Sequence, residues 1–276
     1  MPKLEVENLS FSYDGKPVIE NITFSANSGE AWAVIGRNGA GKSTLLKCLC
    51  GLLRRSRGTV AIDGADIAAL PPREIARSLA FVPQGNGRPA PPFTVREYVT
   101  MARFPYGNFF SLPSPKDKER VDEALALTDT ARLAGRRMDT LSGGEFQAAL
   151  VAGAVAQDTP ILMLDEPTTF LDAYHQENIR LLIERIHTQL GTIVITVTHD
   201  VNLALSTHNN ILALVDGKPF FCGARDEFCA NAANSLSSIF SVDFCGVKSP
   251  GNKTFFFVDS KQTSPLLFNK TKDGTQ

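Results

Sequence analysis

The stretch Gly36-Arg37-Asn38-Gly39-Ala40-Gly41-Lys42-Ser43-Thr44 holds the residues best suited to chemistry. Its spacing, G-x-x-x-x-G-K-[ST], is that of a loop that cradles the phosphates of a nucleoside triphosphate, provided a strand feeds it and a helix leaves it. Gly36, Gly39 and Gly41 let the backbone approach phosphate oxygens and turn its N–H groups inward. A helix starting near Lys42 adds the positive end of its dipole. Lys42 is expected to reach the β- and γ-phosphates and the Ser43 hydroxyl to ligate Mg2+, with Asn38 and Thr44 in the same nucleotide-binding set. The bland alternative is a chance glycine-rich turn.

Further candidates fall where they could serve such a loop. Ile161-Leu162-Met163-Leu164 is an apolar run ending in Asp165 and Glu166. A buried parallel strand of that kind delivers its last residues to the sheet edge beside the phosphate loop. Asp165 would there hold Mg2+ through its water shell, and Glu166 would polarise an attacking water, help worth about 10²–10⁴ in rate. Away from a phosphate loop the two acids would be solvent-facing charges. His199 follows another apolar run, Thr192 to Val197, and falls at the same edge, within reach of a γ-phosphate. Leu141-Ser142-Gly143-Gly144-Glu145 reads first as a capping box, Ser142 and Glu145 closing a helix start. The paired glycines, Gly143 and Gly144, add exposed N–H groups there, a second anion site. Tyr13 could stack on a nucleotide base, although alone it reads as a turn aromatic.

The elements that must position these residues alternate strand and helix. Leu4 to Leu9 alternates as a half-exposed strand, Phe11 to Gly15 reads as a turn, and Val18 to Ser25 as a second strand. Ala31 to Ile35 is the short strand feeding the loop, and Leu45, Leu46, Leu49, Leu52 and Leu53 mark the helix leaving it. Gly58 to Asp63 is a strand, Pro71-Pro72 opens a helix through Arg77, and Leu79 to Val82 is a strand ending at Pro83-Gln84. Gly85 to Pro92 reads as a flexible connector and Gly107 to Pro115 as a loop. Between and after them come helices from Thr94 toward Arg103 and from Lys116 to Leu127, then one from Ser142 to about Gln157. Asp172 to Gln189 is a long helix. Ile211–Val215 and Pro219–Cys222 form a hairpin turned at Asp216-Gly217. Two short helical stretches, the strand Lys253 to Val258 and a frayed polar end close the chain.

Bulk properties narrow the class. With 276 residues the chain can bury a full core, as one large domain or a core with a subdomain. A net charge of −1 and a pI near 6.4 leave no nucleic-acid footprint, and Arg54, Arg55 and Arg57 read as a solvated helix end. No apolar run approaches the roughly 20 residues that span a bilayer, and Met1 to Asn8 lack an apolar signal core. The expectation is a cytosolic chain whose membrane role comes through partners. The five cysteines, Cys48, Cys50, Cys222, Cys229 and Cys245, lack C-x-x-C spacing and read as scattered reduced thiols.

Taken in order, these residues resemble the ATP-binding cassette family. Tyr13, the Walker A loop Gly36–Thr44, Gln84 of the glutamine loop, the signature Leu141–Glu145, the Walker B strand Ile161–Glu166, the D-loop through Asp172 and the switch His199 span roughly residues 4–222. The resemblance implies an α/β fold: a P-loop NTPase core with a mostly parallel sheet, an N-terminal antiparallel β subdomain and an inserted helical subdomain at about 86–158. The cassette would cover residues 1–245, with 246–276 as a C-terminal extension. It implies ATP and Mg2+ as ligands and Gln84 as both a Mg2+ ligand and a catalytic residue beside Glu166 and His199. It also implies a head-to-tail homodimer with two ATP molecules between the copies, Ser142 and Gly144 of one touching the γ-phosphate held by the other.

A narrower likeness is to the importer ATPases for iron–siderophore, haem and cobalamin uptake. Thr169-Phe170-Leu171-Asp172, Thr94-Val95-Arg96-Glu97 and Arg103-Phe104-Pro105-Tyr106 carry it. It implies a peripheral subunit on the cytoplasmic face of the inner membrane, bound to integral membrane permease subunits and served indirectly by a substrate-binding protein. A short permease helix would enter the groove between the glutamine loop and the helical subdomain. Phe146 departs from the usual Arg, and Ala148 and Gly153 stand where basic residues are common; the bracing of the signature helix is what these changes touch. Two other classes compete. A soluble cassette in DNA repair or translation usually carries two cassettes, a long coiled coil or a basic face, none of which is present. An exporter or resistance ATPase is disfavoured by the Thr169–Asp172 loop.

Overall fold

The computed structural model describes residues 1–84, 90–107, 112–169, 171–249 and 254–259. The chain opens with an antiparallel hairpin, β1 (Lys3–Tyr13) and β2 (Lys16–Asn27), paired from Lys3↔Asn27 to Tyr13↔Lys16. The strand β1 therefore runs through Tyr13, beyond the expected turn at Phe11. Asp14 and Gly15 alone make the reversal, both with positive φ (47° and 77°), the two-residue turn that Asp-Gly favours because its twist matches that of the strands.

Next, β3 (Ala31–Gly36) feeds the phosphate loop and α1 (Lys42–Leu49) leaves it. They are followed by β4 (Arg57–Ile62), β5 (Ala65–Asp66), α2 (Pro72–Ser78) and β6 (Leu79–Val82). Three α-helices come before the next strand: α3 (Val95–Met101), α4 (Pro115–Leu127) and α5 (Gly143–Ala156). Each has a complete capping box, at Thr94, Ser114 and Ser142, satisfying donors that a helix start otherwise leaves unpaired. Pro115, expected in a loop, is the first residue of α4, a position that suits its fixed φ. The connector residues 85–89 and the loop residues 108–111 lie outside the described residues.

The chain then alternates again, with β7 (Ile161–Asp165), α6 (Ala173–Leu190), β8 (Ile193–Val197), α7 (Val201–Thr207) and β9 (Asn210–Val215). It closes with β10 (Lys218–Ala224), α8 (Arg225–Cys229), α9 (Ala232–Phe240), β11 (Phe244–Lys248) and β12 (Thr254–Val258).

Among the described residues the strands form three sheets. The largest has the order β10-β9-β3-β8-β7-β6, parallel throughout except for β10. Its central strands β3, β7 and β8 are buried at every position, so apart from Asp165 and Thr196 they are apolar rather than alternating. An antiparallel sheet, β2-β1-β4-β5, covers α1 and one face of the large sheet through Leu4, Leu9, Ile19, Leu45 and Leu49. The other face packs on α6 through Leu162, Leu164, Ile179 and Ile183. A separate cluster joins α3, α4 and α5 through Val95, Val99, Val121, Leu125 and Ala152. Arg103, buried, pins these helices. Its Nε donates to Asp117 Oδ1 at 2.9 Å, its Nη1 donates to the Ala156 carbonyl at 2.8 Å, and its guanidinium lies 4.1 Å from the centre of the Tyr106 ring. The Arg103–Tyr106 stretch thus acts here as a packing unit.

Two features have no counterpart in the sequence pattern. Asp200 caps α7, its Oδ1 accepting from Leu203 N at 3.0 Å. The strand β11 pairs with β12, which is tied to α7 by Asn202: its Nδ2 donates to the Phe256 carbonyl and its Oδ1 accepts from Phe256 N.

His208, after α7, is fully buried with neither ring nitrogen partnered among the described residues. Burial pulls its pKa down from 6.5 to about 4, helped by His187 and opposed by the nearby Ala204 and Leu203 carbonyls, which fall short of full hydrogen-bond geometry but favour the charged ring. The folded chain therefore refuses a proton that the unfolded chain accepts below pH 6.5, and stability drains as pH falls from about 6.5 to about 4. Thermal unfolding at pH 7 and pH 5 should differ by about 2 kcal/mol from this group, and His208→Leu should remove that part of the difference.

Candidate ATP site

The phosphate loop is held open by backbone that only glycine adopts easily. Gly36, Gly39 and Gly41 have φ of 153°, 84° and 92°. At Gly41 a Cβ would also lie 2.6 Å from Ile19 Cγ2 and 2.8 Å from the Val18 carbonyl oxygen, so the β1–β2 sheet closes that side of the loop. Lys42 starts α1 and is buried. Its Nζ donates to the carbonyls of Gly36 at 2.9 Å and Arg37 at 3.0 Å, which aims the ammonium into the curve of the loop. Burial holds the pKa of Lys42 below its usual value, with Glu166 and Asp165 pulling the other way. Thr44 is half-buried in the first turn, and Asn38 is exposed at the loop tip.

Ser43 and Asp165 meet across the loop, Ser43 Oγ donating to Asp165 Oδ1 at 3.0 Å. The Asp165 carboxyl is pushed up chiefly by burial and also by Glu166; the Ser43 hydrogen bond, Lys47 and Lys42 oppose the shift. Glu166 follows in left-handed backbone (φ 48°), its N–H donating to the Val197 carbonyl of β8 at 2.9 Å. This turn aims its carboxylate across the sheet edge. Glu166 Oε2 accepts from Gln84 Nε2 and from Thr169 Oγ1, both at 2.9 Å, and His199 Nδ1 lies 3.5 Å away.

Gly36, Asn38, Gln84, Glu166 and His199 line one open cleft of about 920 Å³. Gly36 and Asn38 of the loop, Glu166, Gln84 and His199 are therefore brought together, and Asp165 is tied to the loop through Ser43. Phe240, Val242, Phe244 and Val258 form a further wall that sequence reading misses. Thr169 stands in the sequence only as part of a family match, yet its hydroxyl orients Glu166. Phe170 lies outside the described residues. Tyr13 ends β1 half-exposed, its ring edge-on to Phe11 at 4.7 Å between centroids.

The signature turn is elsewhere. Ser142, Gly143 and Gly144 are not among the residues lining the cleft. Ser142 and Gly143 face solvent at the start of α5, while Gly144 is buried and borders a second cavity, of about 390 Å³, between α4, α5 and α6. Ser142 N donates to Glu145 Oε2 at 3.0 Å, and Arg136 braces the same carboxylate at 3.1 Å. The departures along α5 have packing roles. Phe146 packs on the α3–α5 cluster, and Gly153 makes room for Tyr98, whose Cε1 would stand 2.9 Å from a Cβ there. Ala148 borders the α4–α6 cavity.

Among the described residues no helix is long and apolar enough to cross a membrane. Comparison with known proteins extends these observations. The ferric enterobactin transport ATP-binding protein FepC of Escherichia coli (strain K12) is 34% identical, over 97% of this chain and 97% of its own. A solved metal-chelate type ABC transporter in an inward-facing conformation superposes with a TM-score of 0.82 at 28% identity, covering 95% of this chain and 99% of the matched one. The dimeric post-hydrolysis structure of the cassette MJ0796 bound to ADP and Pi superposes with a TM-score of 0.70 at 27% identity, over 80% and 98% of the two chains. The family model described as ABC transporter matches residues 19–169, the span that carries the phosphate loop, the signature turn and both acidic residues, and the chain belongs to the ABC transporter family as an ATP-hydrolysing cassette.

Proposed function

We propose that this cassette drives import of an iron–siderophore or related metal chelate through a membrane permease, as a peripheral subunit on the cytoplasmic face. The likeness to a ferric enterobactin transport protein over nearly the whole chain supports the cargo class. Residues 1–245 act as the cassette, with 86–158 as its helical insertion and 246–276 as an extension. A substrate-binding protein delivers the cargo, and the groove beside Gln84 receives a permease helix.

One observation carries the catalytic reading. The catalytic groups converge on Glu166 in one cleft while the signature turn opens elsewhere, so a single chain builds only part of a site. A second copy completes it, presenting Ser142 and the N–H groups of its α5 start to the γ-phosphate. ATP then holds two copies together and its hydrolysis releases them.

The donor set fits Mg2+: Ser43 Oγ and Asp165 are hard oxygen ligands already paired, and Gln84 offers a third in its amide oxygen. The bound ion supplies neutralisation of charge on the β- and γ-phosphates. Lys42 contributes its ammonium to the same phosphates, and the loop N–H groups fix their position. Glu166, held by Gln84 and Thr169, takes the proton of the attacking water, and His199 keeps that carboxylate and the γ-phosphate in register. Tyr13 stacks on the base.

Purification of the tagged chain from its source membranes tests the assignment, followed by transport in proteoliposomes. A polytopic membrane protein should come with it, and ATP should drive uptake of a labelled ferric siderophore. Failure to recover any membrane protein, or net export, would overturn the importer reading.

A further inference from the structure

His175 lies on the first turn of α6, outside the cleft, yet its ring fills the space directly against Gly144. A Cβ added at Gly144 would run into His175 Cδ2 and Cγ, and would stand 2.7 Å from Nε2. The ring is itself held. His175 Nδ1 lies 2.8 Å from Asp172 Oδ1, the same oxygen that accepts from His175 N at 2.9 Å as the cap of α6. The neighbouring Gln176 secures the segment before the cap, its Nε2 donating to the Leu171 carbonyl at 3.0 Å. The helix starts of α5 and α6 are thus keyed together by one imidazole whose rotamer the α6 capping carboxylate fixes.

A helix N-terminus can act on an anion only if its N–H groups point at the right place. A displacement of about 1 Å is enough to cost catalysis about a hundredfold. Capping boxes fix the local shape of the α5 start; they do not fix where it stands relative to the rest of the chain. Of the described contacts, the His175 ring against Gly144 links that turn to α6, the element that follows Glu166 along the chain. We infer that His175 is the positioning residue of the signature turn, setting the direction in which Ser142, Gly143 and Gly144 are presented to nucleotide held by a second copy. The inference rests on the two-copy reading above. It also explains the glycine at 144: the position must lack a side chain because the imidazole occupies that space.

The test uses the full chain and Mg-ATP. His175→Ala should lower kcat for ATP hydrolysis about tenfold, with KM and the affinity of a single chain for ATP unchanged within about twofold, because the chain's own phosphate loop is untouched. In a Glu166→Gln background, where ATP persists, the same change should weaken ATP-dependent dimerisation about tenfold by size-exclusion chromatography. Asp172→Asn added to His175→Ala should cost little more, since that carboxylate acts on the signature turn through the ring. His175→Asn, which keeps a polar group at the δ position, should recover most of the loss. A loss of single-chain ATP affinity parallel to the loss of kcat would mark a general structural role and overturn the inference. Dimerisation equal to that of the Glu166→Gln chain would overturn it too. If the Glu166→Gln chain with His175 intact fails to dimerise, the two-copy reading falls and takes the inference with it.

Discussion

Glu166→Gln should leave a chain that binds ATP and dimerises but hardly turns over. The substitution keeps size and shape. The oxygen of the introduced amide can still accept from Gln84 Nε2 and Thr169 Oγ1, which now hold the Glu166 carboxylate at 2.9 Å each. Ser43, Lys42 and the loop N–H groups are not altered, so nucleotide affinity should stay within about twofold. What is lost is the proton acceptor, and general-base help is typically worth about 10²–10⁴ in rate. Charge shifts in a defined direction as well. Glu166 helps to push the Asp165 carboxyl up, so its neutralisation lets Asp165 ionise more readily. Metal ligation at Asp165 should be no weaker for it. Because ATP favours the paired state and is no longer consumed, the dimer should accumulate. Phosphate release and size-exclusion chromatography with Mg-ATP read the two effects separately. Hydrolysis at the normal rate would show that Glu166 is not the base.

Local chemistry explains what can be read from the residues alone. The phosphate loop, the caps at Thr94 and Ser142, and the buried strands Ile161–Asp165 and Ile193–Val197 announce themselves through residues within a few positions of one another. Parallel strands end at one sheet edge, so pattern alone brings Asp165, Glu166 and His199 to the loop. Contacts between distant segments are not legible in that way. The strand β11, Phe244–Lys248, is short and interrupted by Gly246, and it is defined by its pairing with β12. Its place against the cleft depends on Asn202 gripping the backbone of Phe256 from 54 positions away. The end of β1 is hidden because Phe11-Ser12-Tyr13-Asp14-Gly15 contains turn residues, and only the partner strand shows that the reversal waits until Asp14. Gly144 is the sharpest case. Read as sequence, it offers a bare N–H; in the fold it is also the floor on which an imidazole from α6 rests.

Lys42→Ala should act on the opposite step, weakening nucleotide binding while leaving the fold intact. The ammonium is buried, and the cost of burial shows in its lowered pKa. Two carbonyls, two nearby carboxylates and the loop's curvature keep it in place all the same. Such a group stabilises the empty chain little, because what it gains from Glu166 and Asp165 is set against desolvation. Its full value appears when a polyphosphate enters. Charge-assisted hydrogen bonds are worth about 1.5–3 kcal/mol each, so losing one should reduce ATP affinity by about tenfold to a hundredfold, and losing two by about a hundredfold to ten-thousandfold. The melting temperature without nucleotide should shift by no more than a few degrees, and the rise in melting temperature that ATP brings should shrink in step with the affinity. The same substitution removes a cation that holds down the pKa of Asp165, so the residual binding should weaken further as pH falls toward the carboxylate range. Equilibrium titration with ATP at two pH values, alongside thermal unfolding, measures all three. An unaltered ATP affinity would mean that the phosphates do not sit in the loop between β3 and α1.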